Sequence, residues 1–225
     1  MSVVATNQLT RVFGRKDAAF TALHAINISI EAGDSVAVIG KSGSGKSTLM
    51  HLLALLDMPT SGSVLVNDEP ASRLSARQID RLRNRNYGFV FQQFFLNGND
   101  TVLNNVILPL KIAGVNRRER SARGLAVLKA VELGDKAGSK AADLSGGQKQ
   151  RLCIARALIN NPKVIFADEP TGNLDSATGE AIINLLFKLN KDHGITLIVV
   201  THDPDLADRC QRQIRIKDGR VEGEK

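Results

Sequence analysis

The run Gly40-Lys41-Ser42-Gly43-Ser44-Gly45-Lys46-Ser47 fits the spacing G-x-x-x-x-G-K-[ST]. Glycines at these positions let successive backbone N–H groups point inward, which suits phosphate oxygens. Lys46 then supplies a point charge for β and γ phosphates, and the Ser47 hydroxyl a ligand for Mg²⁺, with Thr48 the next contact. A second element is Val164-Ile165-Phe166-Ala167-Asp168-Glu169. An apolar run that ends in two carboxylates is costly unless they serve a cation or a reaction. Asp168 is the candidate Mg²⁺ partner, directly or through a coordinated water. Glu169 is the candidate to orient and polarise an attacking water. Together the two elements read as a nucleoside triphosphatase.

These groups need elements to hold them. Residues 35–39 read as a strand that runs straight into the glycine-rich loop, and a helix begins near Lys46. Residues 164–167 and 196–200 are continuous apolar runs, expected of central strands covered on both faces. Between them a helix spans 177–191, with Ile182, Ile183, Leu185, Leu186 and Leu189 inward. Residues 25–30 alternate as one strand with Ile26, Ile28 and Ile30 on one face, and 63–66 and 87–91 read as further strands. From about residue 94 to 159 the period is helical, with Val102, Val106 and Leu110 in one segment and Leu125, Leu128 and Val131 in the next. The fold class expected is α/β, with a helical insertion.

Composition limits the alternatives. The chain has 225 residues, 43% hydrophobic and 24% charged, the balance of an ordinary globular protein of one large domain or two small ones. Its net charge of +7 invites a nucleic-acid reading. The arginines gather in 73–85 and 117–123, however, and none of the eight phenylalanines or the single tyrosine interleaves with them as a base-stacking surface requires. No nucleic acid is expected; a solvated helix face is the plainer reading, and anionic headgroups or an acidic partner loop the sharper one. No apolar run approaches the roughly 18 residues of a membrane span, and the first twenty residues lack the features of a secretory signal. Cys153 and Cys210 form neither a disulfide framework nor a metal site by spacing, so a reducing compartment is expected.

Leu144-Ser145-Gly146-Gly147-Gln148 narrows the class. With it the chain resembles the nucleotide-binding subunits of ATP-binding-cassette (ABC) transporters, for which this pentapeptide is the signature. The resemblance runs from Leu9 to about Val221. It implies a P-loop NTPase (RecA-like) core with an antiparallel β subdomain and an inserted α-helical subdomain. One ATPase domain would cover 1–225, with 1–92 and 160–225 forming core and β subdomain and 93–159 the helical subdomain. It implies ATP and Mg²⁺, and two copies head to tail with ATP between the phosphate loop of one and Ser145 and Gly147, within Ser145–Gln148, of the other. Such a Ser-Gly-Gly turn at a helix start is a second anion-binding device.

Further roles follow from the same resemblance. Phe13 stands where an aromatic stacks on adenine, and phenylalanine keeps the π face. Gln92, with Gln93 adjacent, matches the glutamine that reaches Mg²⁺ and the attacking water. His202 matches the histidine at the γ-phosphate, and Asp175 the loop that communicates across the dimer. The likeness is greatest to ATPase subunits of lipoprotein-release, macrolide-export and cell-division permeases, carried by 57–62, 88–93 and 171–175. Leu96-Asn97-Gly98-Asn99-Asp100 and Asn104 depart from that pattern, inside the insertion that meets the permease. The function expected is an ATP-hydrolysing subunit that powers an integral membrane permease, peripheral on the cytoplasmic face, for export or extrusion of lipoprotein, peptide or drug. An importer ATPase and a DNA-maintenance ATPase are the alternatives. Only residues 93–143 separate Gln92 from the signature, without sustained heptads, and no coiled-coil arm fits there.

Overall fold

The computed structural model describes residues 2–225; residue 1 of the expected domain lies outside them. In chain order the strands and helices are β1 (Ser2–Phe13), β2 (Phe20–Ile26), β3 (Ser29–Glu31), β4 (Ser35–Ile39), α1 (Lys46–Leu53), β5 (Ser61–Val66), β6 (Glu69–Pro70), α2 (Ala76–Asn86), β7 (Tyr87–Phe91), α3 (Val102–Val106), α4 (Leu108–Ile112), α5 (Arg117–Ala130), α6 (Gly146–Leu158), β8 (Val164–Asp168), α7 (Ser176–His193), β9 (Thr196–Val200), α8 (Pro204–Asp208), β10 (Arg212–Lys217) and β11 (Arg220–Glu224). Two sheets result. The larger has the order β11-β10-β4-β9-β8-β7, parallel from β10 to β7 with β11 antiparallel at the edge. The smaller is antiparallel, β2-β1-β5-β6 with β3 also on β1.

The apolar runs of the parallel strands split between two cores because successive side chains point to opposite faces. Val36, Val38, Phe166 and Ile198 join the core that holds α1 and the antiparallel sheet. Ala37, Ile165, Ala167, Leu197 and Val199 join the core that holds α3 to α8. In α1, Leu49, Met50, Leu52 and Leu53 are fully buried, each contributing about 1.5–3 kcal/mol of transfer free energy. That burial anchors the helix whose first turn closes the phosphate loop. Among the described residues, no helix is long and apolar enough to cross a membrane.

Three local expectations change. Residues 25–30 are not one strand: Ala25 adopts φ +49°, and Thr6 Oγ1 donates to the Ile26 carbonyl and accepts from the Ile28 N–H. The hydroxyl bridges a break, so β2 pairs with Leu9–Phe13 and β3 with Ser2–Ala5, although Ile26, Ile28 and Ile30 are all buried. The segment through Val102, Val106 and Leu110 is two short helices meeting at Ile107, with Pro109 in the first turn of the second. Leu125 is exposed, because α5 makes its close approach through Gly124; a Cβ there would lie 2.5 Å from Ile107 and 2.7 Å from Leu103.

Candidate active site

Strand register gathers the chemistry. Val38, Val200, Asp168 and Phe91 are successive partners across β4, β9, β8 and β7. The residues that follow this row are the phosphate loop after β4, Thr201-His202 after β9, Glu169 after β8 and Gln92 after β7. Four parallel strands thus deliver their carboxyl ends to one edge, where ligands bind in open α/β sheets.

A cleft of ≈ 440 Å³ opens at that edge. Ser42, Gly43, Gly45, Lys46, Ser47 and Thr48 line one side, with Asp168, Glu169 and His202 opposite. Helix α1 starts after Gly45 in a left-handed conformation, φ +106°, and no side chain caps its first turn. Its free donors and positive end therefore face the cleft. A Cβ on Gly43 would point into open space. Lys46 Nζ donates to the carbonyls of Gly40 and Lys41, 2.9 and 3.0 Å, which holds the ammonium over the loop. Gly40, Lys41 and Ser44 line not the cleft but a second hollow behind the loop. There the β10–β11 turn braces the loop: Gly219 N–H donates to the Ser44 carbonyl, and a Cβ on Gly40 would sit 2.1 Å from the Ile216 carbonyl.

Asp168 is half-buried, and its carboxyl is held above the usual carboxylate range. Burial is the main cause and Glu169 adds to it; His51, Lys46 and the Ser47 hydroxyl pull the other way. A desolvated carboxylate next to a hydroxyl is a hard-oxygen pair that Mg²⁺ fits, since this ion takes one or two protein oxygens and completes its shell with phosphate and water. Ser47 and Asp168 would hold it, and bound Mg²⁺ would neutralise charge on the β and γ phosphates. The raised carboxyl also has a stability consequence. Ionising Asp168 costs the folded chain as pH rises through the folded value, and below the unfolded value the cost vanishes. Asp168→Asn is therefore expected to raise the melting temperature of the ligand-free chain near neutral pH, and by less in acid, while turnover with Mg²⁺ falls. A neutral-pH melt below that of the parent contradicts this.

Glu169 occupies the left-handed region, φ +46°, which is uncommon for a non-glycine residue. Its backbone is held by Glu169 N–H to the Val200 carbonyl, 2.9 Å, and by Gly172 N–H to its own carbonyl, 3.1 Å. The carboxylate is fixed from β9's end: Oε1 accepts from His202 N–H at 3.1 Å and lies 2.7 Å from His202 Nδ1, while Thr201 Oγ1 donates to Oε2 at 3.4 Å. An ionised carboxylate only accepts, so this contact places the imidazole proton on Nδ1 and leaves Nε2 to the exposed side. Gln92 lies outside the cleft, in an adjoining hollow with Gln93, His51 and Asp168. Its carbonyl accepts from Asn173 Nδ2 at 2.8 Å.

Phe13 stands at the cleft mouth, 42% exposed, with the Arg11 guanidinium 4.6 Å from its ring centroid. Phe20, its register partner across β1 and β2, lines the same mouth. Sequence reasoning missed Phe20 because nothing local marks it; only the hairpin pairing brings it to Phe13. His51, beside Asp168, was equally unmarked.

The remaining residues are not brought together with the cleft. Ser145 and Gln148 form a capping box at the start of α6: Gln148 N–H donates to Ser145 Oγ at 3.3 Å, and Ser145 N–H to Gln148 Oε1 at 3.0 Å. A Cβ on Gly147 would lie 2.4 Å from Thr178, and Gly146 lies against Leu174. Asp175 caps α7, accepting from Thr178 N–H at 2.9 Å, a bond that lowers its carboxyl below the usual range. None of these residues lines the phosphate cleft.

A family model described as ABC transporter matches residues 23–172. The chain belongs to the ABC transporter family. It is 49% identical over 202 residues to an uncharacterized ABC transporter ATP-binding protein of Thermotoga maritima, covering 90% of this chain and 86% of that one. It is 42% identical over 217 residues to the lipoprotein-releasing system ATP-binding protein LolD of Shewanella denitrificans, covering 96% and 93%. Among solved structures, the dimeric ATP-binding cassette MJ0796 in a post-hydrolysis state with ADP and Pi superposes with a TM-score of 0.89 at 43% identity, covering 99% of this chain and 97% of that one. The chain is thus an ABC ATPase domain, with ATP as its nucleotide.

Proposed function

We propose that two copies of this ABC ATPase domain close head to tail on ATP and drive a membrane permease from its cytoplasmic face. The observation that carries this reading is the separation of the signature loop from the phosphate cleft of the same chain. Ser145 and Gly147 have no nucleotide to serve there, and an isologous dimer supplies one. In each composite site, Lys46 and the loop amides bind the phosphates, Glu169 takes the proton from the attacking water, and His202 orients Glu169 and faces the γ-phosphate. Gln92 reports on that site from the adjoining hollow. Asp175 sits at the start of α7, beside the signature glycines, where the two copies communicate.

Phe13 offers its ring to the base while Arg11 covers its other side. Phe13→Ala is expected to weaken ATP binding about tenfold, and Phe13→Tyr to leave it within about twofold. Titration calorimetry checks both; an unchanged Phe13→Ala affinity removes the base contact.

Residues 93–159 are proposed as the helical lever. They frame a groove of ≈ 550 Å³ between Asn84 and Tyr87 on one side and Phe95, Leu108, Ile112 and Arg156 on the other. Phe95 is 65% and Ile112 69% exposed. Apolar groups left open around a groove suit a segment of the permease. Phe95→Asp is expected to abolish co-purification with the permease, with turnover of the isolated chain retained; unchanged co-purification refutes the dock. Similarity to a lipoprotein-releasing ATPase favours extraction or export as the direction of work.

A further inference from the structure

The groove and the helix that carries the signature loop are joined through one side chain, Arg156. Arg156 lies near the end of α6, the helix that Ser145 starts. Its guanidinium donates to two consecutive carbonyls, Phe95 at 2.7 Å and Phe94 at 3.0 Å, and Cys153 Sγ donates to the Phe94 carbonyl at 3.1 Å. Among the described residues Arg156 has no carboxylate partner; besides the two carbonyls its guanidinium meets Cys153 Sγ, at 4.0 Å. The segment it grips is strained: Phe95 has φ +45°, a conformation bulky residues rarely adopt unless the surroundings enforce it. Upstream, the Phe95 ring stands edge-on to Phe91 at 5.5 Å, and Phe91 directly precedes Gln92. At its other end α6 is tied to the segment after Glu169, where the buried Gln150 donates through Nε2 to the Pro170 carbonyl at 2.7 Å.

We propose that Arg156 is a positioning residue that makes the groove segment Phe94–Phe95 and the signature helix one rigid unit. Occupancy of the groove and engagement of Ser145 and Gly147 with the other copy's nucleotide then become a single displacement. The inference rests on the head-to-tail dimer proposed above. A contiguous tie of this kind carries coupling only if breaking it uncouples the two ends.

The chain has no tryptophan, so Phe95→Trp places a lone indole at the groove. The parent for the test is Glu169→Gln/Phe95→Trp, in which Mg²⁺ and ATP are expected both to double the mass in light scattering and to shift the indole emission. Adding Arg156→Ala is expected to preserve the doubling and the melting temperature while the emission shift falls at least roughly fivefold, the lower end of ordinary site-to-site coupling. Arg156→Lys keeps one charged donor without the two-pronged geometry and is expected to give an intermediate shift. It decides the matter alone if Arg156→Ala does not fold. A full shift in either variant, or no shift in the parent despite doubling, overturns the role of Arg156. Absence of doubling in the parent overturns the dimer, and this inference with it.

Discussion

Glu169→Gln is expected to bind ATP with the parent's affinity and to hydrolyse it at least roughly 10²-fold more slowly. The amide keeps the shape of the carboxylate. Its one oxygen can still accept from His202 N–H, and its NH2, in place of Oε2, can donate to Thr201 Oγ1, so the side chain stays tied to the end of β9. What it loses is the ability to take a proton from water. Loss of a positioned base commonly costs two to four orders of magnitude, whereas a mere change in packing at a half-buried side chain costs far less. Steady-state phosphate release with a parallel binding titration separates the two. Near-normal turnover removes Glu169 from its role and shifts attention to His202, whose Nδ1 is the carboxylate's closest partner.

The second large effect is expected at a residue outside the cleft. Ser145→Arg should leave ATP binding to a single chain intact and reduce hydrolysis to background. Part of any change there is local, because Ser145 caps α6, and losing such a cap costs about 1 kcal/mol. Ser145→Ala isolates that part: it removes the cap without adding bulk or charge. Within one chain the arginine has room, since Ser145 is exposed and does not line the phosphate cleft. The proposed dimer puts it against the other copy's triphosphate. Turnover in the alanine variant well above that of the arginine variant fits the shared site; equal, high turnover in both means that each chain hydrolyses ATP with its own residues.

The chemistry was legible wherever it is contiguous in the chain. The loop 40–47 declares itself by spacing, and 164–169 by an apolar run ending in two carboxylates, because the strand-to-loop transition that aims them is local. The α/β class followed from the same strands. What stayed hidden depends on pairing between distant segments. Phe20 reaches the cleft only through its register with Phe13, and the brace behind the loop comes from Gly219, about 175 residues downstream of Ser44. The break at Ala25 and the bridge by Thr6 reflect β1 dividing its partners between β2 and β3. In α5 the apolar period pointed to Leu125, but the tight packing of Gly124 on α3 turns that leucine outward. The grip of Arg156 on Phe94 and Phe95 spans more than sixty residues and leaves no pattern in either segment.

The shared site is tested most directly by the mass of Glu169→Gln in light scattering, with and without Mg²⁺ and ATP. A composite site predicts 24.3 kDa per particle without nucleotide and twice that with it, and no doubling once Ser145→Arg is added although ATP remains bound. A particle that stays at one chain's mass at every protein concentration, while the parent hydrolyses ATP at a rate per chain independent of dilution, contradicts it.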